Sequence, residues 1–309
     1  MHELGKWFGG VLLVLSFIVL VAQPAMGQQA PFQSKVGDTS FSFSAFPLYQ
    51  LDTGLEGGGD YSVRRYFFRL DAGRQMTTHL KAGIGFSYDY EDWDFSGASG
   101  FRGVPWGQIY RTGVSMSFLY TGVRKWALMV LPSLQSARES GSDWGDGLQT
   151  GAVLAASRAV SPKLMLGVGG GFFFGLEETS VFPFLVIRWQ ITEHLTLANP
   201  LRAGPTGPAG LELIYSFGKS WEVAAGSAWR SFRFRLDDQG LAPDGIGEVS
   251  FIPTWGRITW RLNRNLALAL YAGVAFAGEL KLEDQNGNTI GTVDQDNAWF
   301  GAFTVNFRF

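Results

Sequence analysis

Few residues in this chain are of a kind that does covalent or acid–base chemistry, and their spacing points away from it. There are three histidines and no cysteine. Without cysteine there is no disulfide framework, no thiolate metal site, no thiol nucleophile and no cysteine-linked lipid anchor. His2 falls in a segment expected to be removed on export, and His79 and His194 stand at short polar turns. No nucleophile with a base and an orienting group gathers around either turn. Gly167-Val168-Gly169-Gly170-Gly171 lacks the spacing of a dinucleotide cradle, and no helix pattern follows it. Glycines so placed in a strand mark a bend, or a narrow lumen where backbone or a plug comes close. Asp284-Gln285-Asn286-Gly287-Asn288 resembles the start of a calcium loop, but its glycine comes too early and the closing glutamate is missing. Asn286-Gly287 is more simply a turn. The chain therefore reads as a non-enzyme without metal or cofactor, with a barrel-type hydrolase as the enzymatic alternative.

A different chemistry is carried by charges that alternate with apolar residues. Arg65, Arg69, Asp71, Arg111, Arg188, Glu212, Arg233 and Arg235 stand opposite an apolar set, as do Lys81, Asp89 and Glu91. On the lipid face of a membrane strand a charge at the midplane costs about 2–4 kcal/mol, so these side chains are expected to point into a lumen. Two uses are open to them there. They form a track for polar solutes, or they pair with one another as a structural network across a narrow or filled barrel.

Charges on one face and apolar groups on the other require strands. Leu80, Ala82, Ile84, Phe86, Tyr88 and Tyr90 alternate with Lys81, Gly83, Gly85, Ser87, Asp89 and Glu91. Leu211, Leu213, Tyr215 and Phe217 alternate with Glu212 and Ser216. Successive strand side chains point to opposite faces. The longer runs reach about ten residues, the length that crosses a bilayer when tilted. Fourteen strands are expected, near 39–50, 60–71, 80–90, 107–120, 125–135, 148–158, 164–175, 181–189, 195–201, 209–217, 221–236, 249–260, 266–282 and 298–309, with twelve as the alternative count. The alternation slips around Trp229 to Ser231, which suggests a bulge.

Short turns and longer loops alternate between these strands, and charge sorts with them. The long-loop windows hold nineteen acidic residues against Arg102, Arg138 and Arg202, whereas the short turns are mostly basic. The turns at Lys163-Leu164, His194-Leu195, Ser220-Trp221 and Asn265-Leu266 repeat one loose plan, a polar turn followed by a large apolar residue. Short basic turns at one end and long acidic loops at the other fit a transmembrane barrel. The fold class expected is all-β, a single antiparallel barrel over residues 28–309 with short periplasmic turns and long acidic external loops.

Composition agrees. Of 309 residues 46% are hydrophobic and only 17% charged, with 41 glycines, 26 phenylalanines and a net charge of −2. No basic excess invites nucleic acid. Lys6, the apolar run Val11 to Ala22 and small residues at Ala25-Met26-Gly27 read as a signal peptide over 1–27, cleaved near Gly27. At the other end Trp299, Gly301, Phe303, Val305, Phe307 and Phe309 share one face, opposite Thr304, Asn306 and Arg308. This ending resembles the carboxyl-terminal assembly signal of bacterial outer-membrane barrels. Outer-membrane lipid, lipopolysaccharide and the barrel-assembly machinery are thus the expected partners; the oligomeric state is open.

From about residue 107 onward the chain also resembles a family of uncharacterised bacterial outer-membrane β-barrels, a domain of unknown function. The resemblance rests on Phe182-Pro183-Phe184-Leu185-Val186-Ile187-Arg188-Trp189, on Gly204-Pro205-Thr206-Gly207-Pro208-Ala209-Gly210-Leu211-Glu212-Leu213 and on Arg233-Phe234-Arg235-Leu236. It implies the barrel and the outer membrane of a Gram-negative-type cell, and no activity.

The function expected is an outer-membrane pore or channel for small polar or cationic solutes drawn to the acidic mouth. A gated transporter of hydrophobic compounds is the first alternative; only about ten residues precede the first strand after cleavage, little for an amino-terminal plug. A non-conducting structural or adhesive surface barrel is the second. In that case Tyr90, Trp93, Phe95, Phe101, Trp106 and Trp144 would be loop contacts, unless they form the upper aromatic girdle.

Overall fold

The structure is a computed structural model that describes residues 35–97, 100–199 and 210–309. The expected signal peptide lies outside these residues, as does most of the 204–213 stretch. The described chain is all-β. Its strands are β1 (Thr39–Gly54), β2 (Asp60–Gln75), β3 (Leu80–Ser96), β4 (Gln108–Tyr120), β5 (Trp126–Glu139), β6 (Leu148–Ser161), β7 (Leu164–Gly175) and β8 (Glu178–Gln190). They continue as β9 (Leu195–Ala198), β10 (Gly210–Phe217), β11 (Trp221–Ala228), β12 (Arg230–Arg235), β13 (Ile246–Arg261), β14 (Leu266–Glu283), β15 (Thr289–Gln295) and β16 (Ala298–Arg308).

These sixteen segments make a closed barrel of fourteen staves. β11 and β12 both pair with β13, as the two halves of one broken strand. β15 and β16 likewise share β14. Closure joins the first strand to the last, with Ser42 opposite Arg308 and the backbones of Phe41 and Phe309 exchanging two hydrogen bonds. A closed ladder leaves no seam of unpaired backbone where β1 meets β16, which hydrocarbon would not tolerate.

The expected strand count of fourteen holds, but several boundaries move at the long-loop end. β1, β3 and β5 run on to Gly54, Ser96 and Glu139, and β15 occupies part of the expected 283–297 loop. Polar residues there alternate with buried ones, so the ladder continues above the apolar band, where a strand no longer looks apolar. At the opposite end three turns share one bonding plan. Thr77 Oγ1 accepts from the backbone N–H of His79 and Leu80, Thr192 Oγ1 from His194 and Leu195, and Asn263 Oδ1 from Asn265 and Leu266. A short side-chain oxygen at the turn's start satisfies donors that the tight reversal would strand.

The outward face is apolar, with Leu70, Ile84, Met116, Leu154, Val168, Leu185 and Leu270 exposed. Aromatic ladders mark its two ends. Tyr66, Tyr90 and Tyr110 stand side by side on β2, β3 and β4 towards the long loops. Trp221 and Trp260 stack at 5.6 Å near the short turns. Phe303, Val305 and Phe307 fall on this same outward face of β16, in register with Leu270, Leu268 and Leu266. Tyr90 thus belongs to the upper girdle.

Candidate functional site

The interior is divided by the break in the eleventh stave. Up to Ala228 the chain is wall, paired to β10 and β13. Among the described residues its pairing with β10 ends with Ala228 opposite Gly210. β12 keeps β13 on one side, but at its far end Arg235 bridges to Arg138 of β5 in the parallel sense. Where a bulge was expected, the strand is interrupted at Trp229 alone and keeps one register on β13, with Ser227 opposite Thr254 and Arg230 opposite Phe251, while its upper half reaches across the lumen to β5. Glu139 fastens the crossing: its carboxylate accepts from the backbone N–H of Gly107 at 2.6 Å and of Asp237 at 3.2 Å.

β12 to β16 and β1 to β5 then enclose a packed core at the long-loop end. It contains Tyr61, Val63, Trp93, Trp106, Ile109, Phe234, Val249, Phe251, Leu280 and Leu282. No residue of β6 to β10 belongs to it, or to the second cluster below it around Phe46, Phe67, Trp255 and Tyr271. Trp93 and Trp106 meet edge to face at 5.7 Å, with Phe95 and Phe101 against Trp106. Of the aromatics that could have been external contacts, these four fill the lumen instead, while Trp144 is 48% exposed. Strand alternation carried Trp93 inward because β3 extends beyond the expected girdle.

The lumen charges are tied together. Glu91, fully buried, lies between Arg65 and Arg111, and accepts from the Trp93 indole at 3.0 Å. The guanidinium of Arg65 lies 5.0 Å from the Trp93 ring centre and that of Arg111 4.7 Å from Phe232, a cation–aromatic arrangement that suits a desolvated arginine. Arg69 pairs with Asp89. Arg257 donates to both oxygens of Glu212, at 3.0 and 2.6 Å. Arg233 reaches Glu178, Glu248 and Glu283, and Arg235 reaches Glu177. Such a network is costly to break because removing one partner leaves the other charged in a dry interior.

Of the expected lumen residues, Arg65, Arg69, Arg111, Glu212, Arg233 and Arg235 are therefore paired in the interior. Asp71 keeps the inward phase of β2 but is exposed near the short-turn end, with Ser42 Oγ 3.4 Å away. Arg188 is exposed at the foot of β8. Sequence reading missed Arg257, although it alternates with Ile258 and Trp260 as the others do with their apolar neighbours. It also counted Glu177, Glu178, Glu248 and Glu283 among the acids of the long external loops. Asp284 is engaged by its own turn: bonds from Asn288 and Asn286 hold its carboxyl below the usual carboxylate range.

The remaining interior surface is of another kind. On β6, β7 and β8 the outward face presents Leu154, Leu166, Val168, Phe172, Val181 and Leu185. The inward face presents Val153, Ala155, Gly167, Gly169, Gly171, Phe173, Phe182, Phe184 and Val186, in register across the strands. It carries no charge between Glu178 at its top and Arg188 at its foot. The Phe182 and Phe184 rings lie over Gly171 and Gly169, where a Cβ would collide with them, and Phe173 stacks on Phe182 at 6.0 Å. Apart from Gly171 these residues are half-buried and belong to neither core. They line one apolar side of the lumen, the apolar compartment, beside the β12 crossing. Among the described residues, the far edge of β8 pairs with β9 over Arg188–Gln190. Asn199 carries the contact on, its side chain accepting from the Ile187 N–H at 2.8 Å and donating to the carbonyls of Leu185 and Gly210 at 2.7 and 3.1 Å.

No family model matches the chain, and no curated protein does. Among solved structures it is similar to the COG4313 outer membrane channel from Pseudomonas putida F1, with a TM-score of 0.50 at 10% identity, covering 92% of this chain and 100% of that one. It also matches the P. putida toluene transporter TodX, with a TM-score of 0.43 at 10% identity, covering 89% of this chain and 91% of that one. The likeness to the first is one of fold: the chain has the fold of an outer-membrane β-barrel.

Proposed function

We propose that this chain is an outer-membrane channel for small apolar solutes, with its long-loop end shut. The observation that carries the reading is the charge-free inner face of β6 to β8, half-buried and separate from the packed core at the long-loop end. Binding pockets are mostly apolar concavities with a few polar groups at their margins. Here the margins are Arg233 and Arg235 above and Arg188 below. The lumen arginines that would form a track for polar solutes are instead committed to carboxylates, which supports the apolar cargo over the polar one.

The test is uptake of N-phenyl-1-naphthylamine, which fluoresces in apolar surroundings, by cells that carry the chain in their outer membrane. Faster uptake than in cells without it is expected; equal rates would contradict the reading. A polar pore is the second reading. It is favoured by the inward face of β1 to β4 near the short turns, where Ser42, Ser44, Ser87, Ser115 and Ser117 replace apolar groups. Outer-membrane lipid around the apolar band, lipopolysaccharide at the acidic end and recognition of the β16 ending by the assembly machinery belong to the same proposal.

A further inference from the structure

The turn between β7 and β8 stands where the apolar compartment meets the long-loop end, and its backbone is unfavourable for its own sequence. Leu176 and Glu177 have φ of 54° and 61°. Two consecutive left-handed residues in a two-residue hairpin turn call for Asn-Gly or similar, since a Cβ is crowded there. Leucine and glutamate hold this shape only because the surroundings fix them.

Those surroundings are β12. Leu176 is 3% exposed. Its carbonyl accepts from Arg233 Nη2 at 3.2 Å. Both Glu177 oxygens accept from Arg235 Nη2 at 2.8 Å, and Glu178 lies 3.0 Å from Arg233. Both arginines keep other partners that do not involve the turn. Arg233 holds Glu248 and Glu283, and Arg235 donates to the carbonyls of Asp244 and Asp146. The arginines are thus anchored on the crossing strand, and the two carboxylates are the part that can let go. The Glu177 and Glu178 side chains are 31% and 56% exposed, against 10% and 9% for their arginines. Ion pairs that reach water are the weak ones. Behind the turn, β8 pairs with β7 along its whole length, from Gly175 opposite Glu178 to Leu164 opposite Trp189.

We infer that the Gly175–Glu178 turn is a latch, which closes the long-loop mouth of the apolar compartment by clamping to Arg233 and Arg235 and opens it by releasing Glu177 and Glu178. As regulation of the compartment it rests on the channel reading, but the movement itself does not depend on what passes.

Hydrogen–deuterium exchange of the purified, folded protein reads that movement directly. In Glu177→Gln/Glu178→Gln the amides of 175–180 are expected to exchange several-fold faster than in the wild type, while β12 and β13 are unchanged. A companion assay uses the lack of native cysteine. Leu176→Cys, displayed on intact cells, is expected to react slowly with a bulky polyethylene-glycol maleimide, and several-fold faster when both glutamates are replaced by glutamine. Unchanged exchange at 175–180 in the doubly substituted protein, with heat-modifiable migration showing an intact barrel, would overturn the latch. So would faster exchange spread equally through β12 and β13, which would mean loss of the crossing. Both readouts are independent of cargo, so failure of the apolar uptake assay alone would leave the latch standing.

Discussion

Glu212 and Arg257 pair across an intervening strand: they sit on β10 and β13, with β11 between them, opposite Gly226 and Ala224 respectively. Gly226 stands opposite both Glu212 and Trp255 in its two ladders, and a Cβ there would lie 2.8 Å from the Trp255 ring. The bare backbone lets the indole of Trp255 donate to Glu212 at 2.9 Å beside the guanidinium. Glu212→Ala is expected to leave Arg257 charged and unpaired in the interior, a cost of about 3–5 kcal/mol. The temperature of the heat-modifiable shift on gel electrophoresis should fall accordingly. Glu212→Met/Arg257→Met, which removes both charges, should lose much less.

Trp106 belongs to the packed core at the long-loop end, touching Trp93, Phe95, Phe101 and Phe234. Trp106→Ala should cost about 3–5 kcal/mol through the cavity it leaves. It should also admit ions through the emptied core, seen as conductance steps absent from the wild type. A variant that loses stability without conducting would show that neighbours collapse into the space.

Gly169 and Gly171 leave room for the Phe184 and Phe182 rings, which occupy the places their Cβ atoms would take. Gly169→Val is expected to push the Phe184 ring into the compartment and to slow N-phenyl-1-naphthylamine uptake several-fold. Exposed Gly218, at a short turn with nothing near its Cβ position, is the control site. Equal loss with Gly218→Asn would point to general damage.

Phe309 and Phe41 exchange the two backbone bonds that finish the closure, and the Phe307 and Phe309 rings meet edge to face at 4.3 Å. Phe309→Ala keeps those backbone bonds. It should lower the amount of protein reaching the outer membrane while leaving refolding in detergent intact. Equal loss in both settings would place the role of Phe309 in stability rather than in assembly.

Much of this was legible in the sequence because a strand's period is short and local. Arg65, Arg69 and Asp71 declare their face by alternation with Tyr66, Phe68 and Leu70, and the turns declare themselves by Thr77, Thr192 and Asn263. What was not legible depends on partners distant in the chain. The slip at Trp229 is visible, but a bulge and a departure from the wall begin with the same irregularity; only the bridge from Arg235 to Arg138 separates them. Trp93 and Trp106 carry no local sign of whether they face lipid or lumen, because that depends on how far β3 and β4 extend. Glu177 and Glu178 look like any acidic loop until Arg233 and Arg235 are brought across to meet them.

The central claim is that the lumen is shut to ions by its packed core and charge network while one side of it remains apolar. Planar-bilayer recording of the refolded wild-type protein at several salt concentrations tests this most directly. No steady steps are expected at any salt, from protein shown to be folded by its heat-modifiable migration. Steady, cation-preferring steps that grow with salt would contradict that claim, and would return the lumen charges to the role of a solute track.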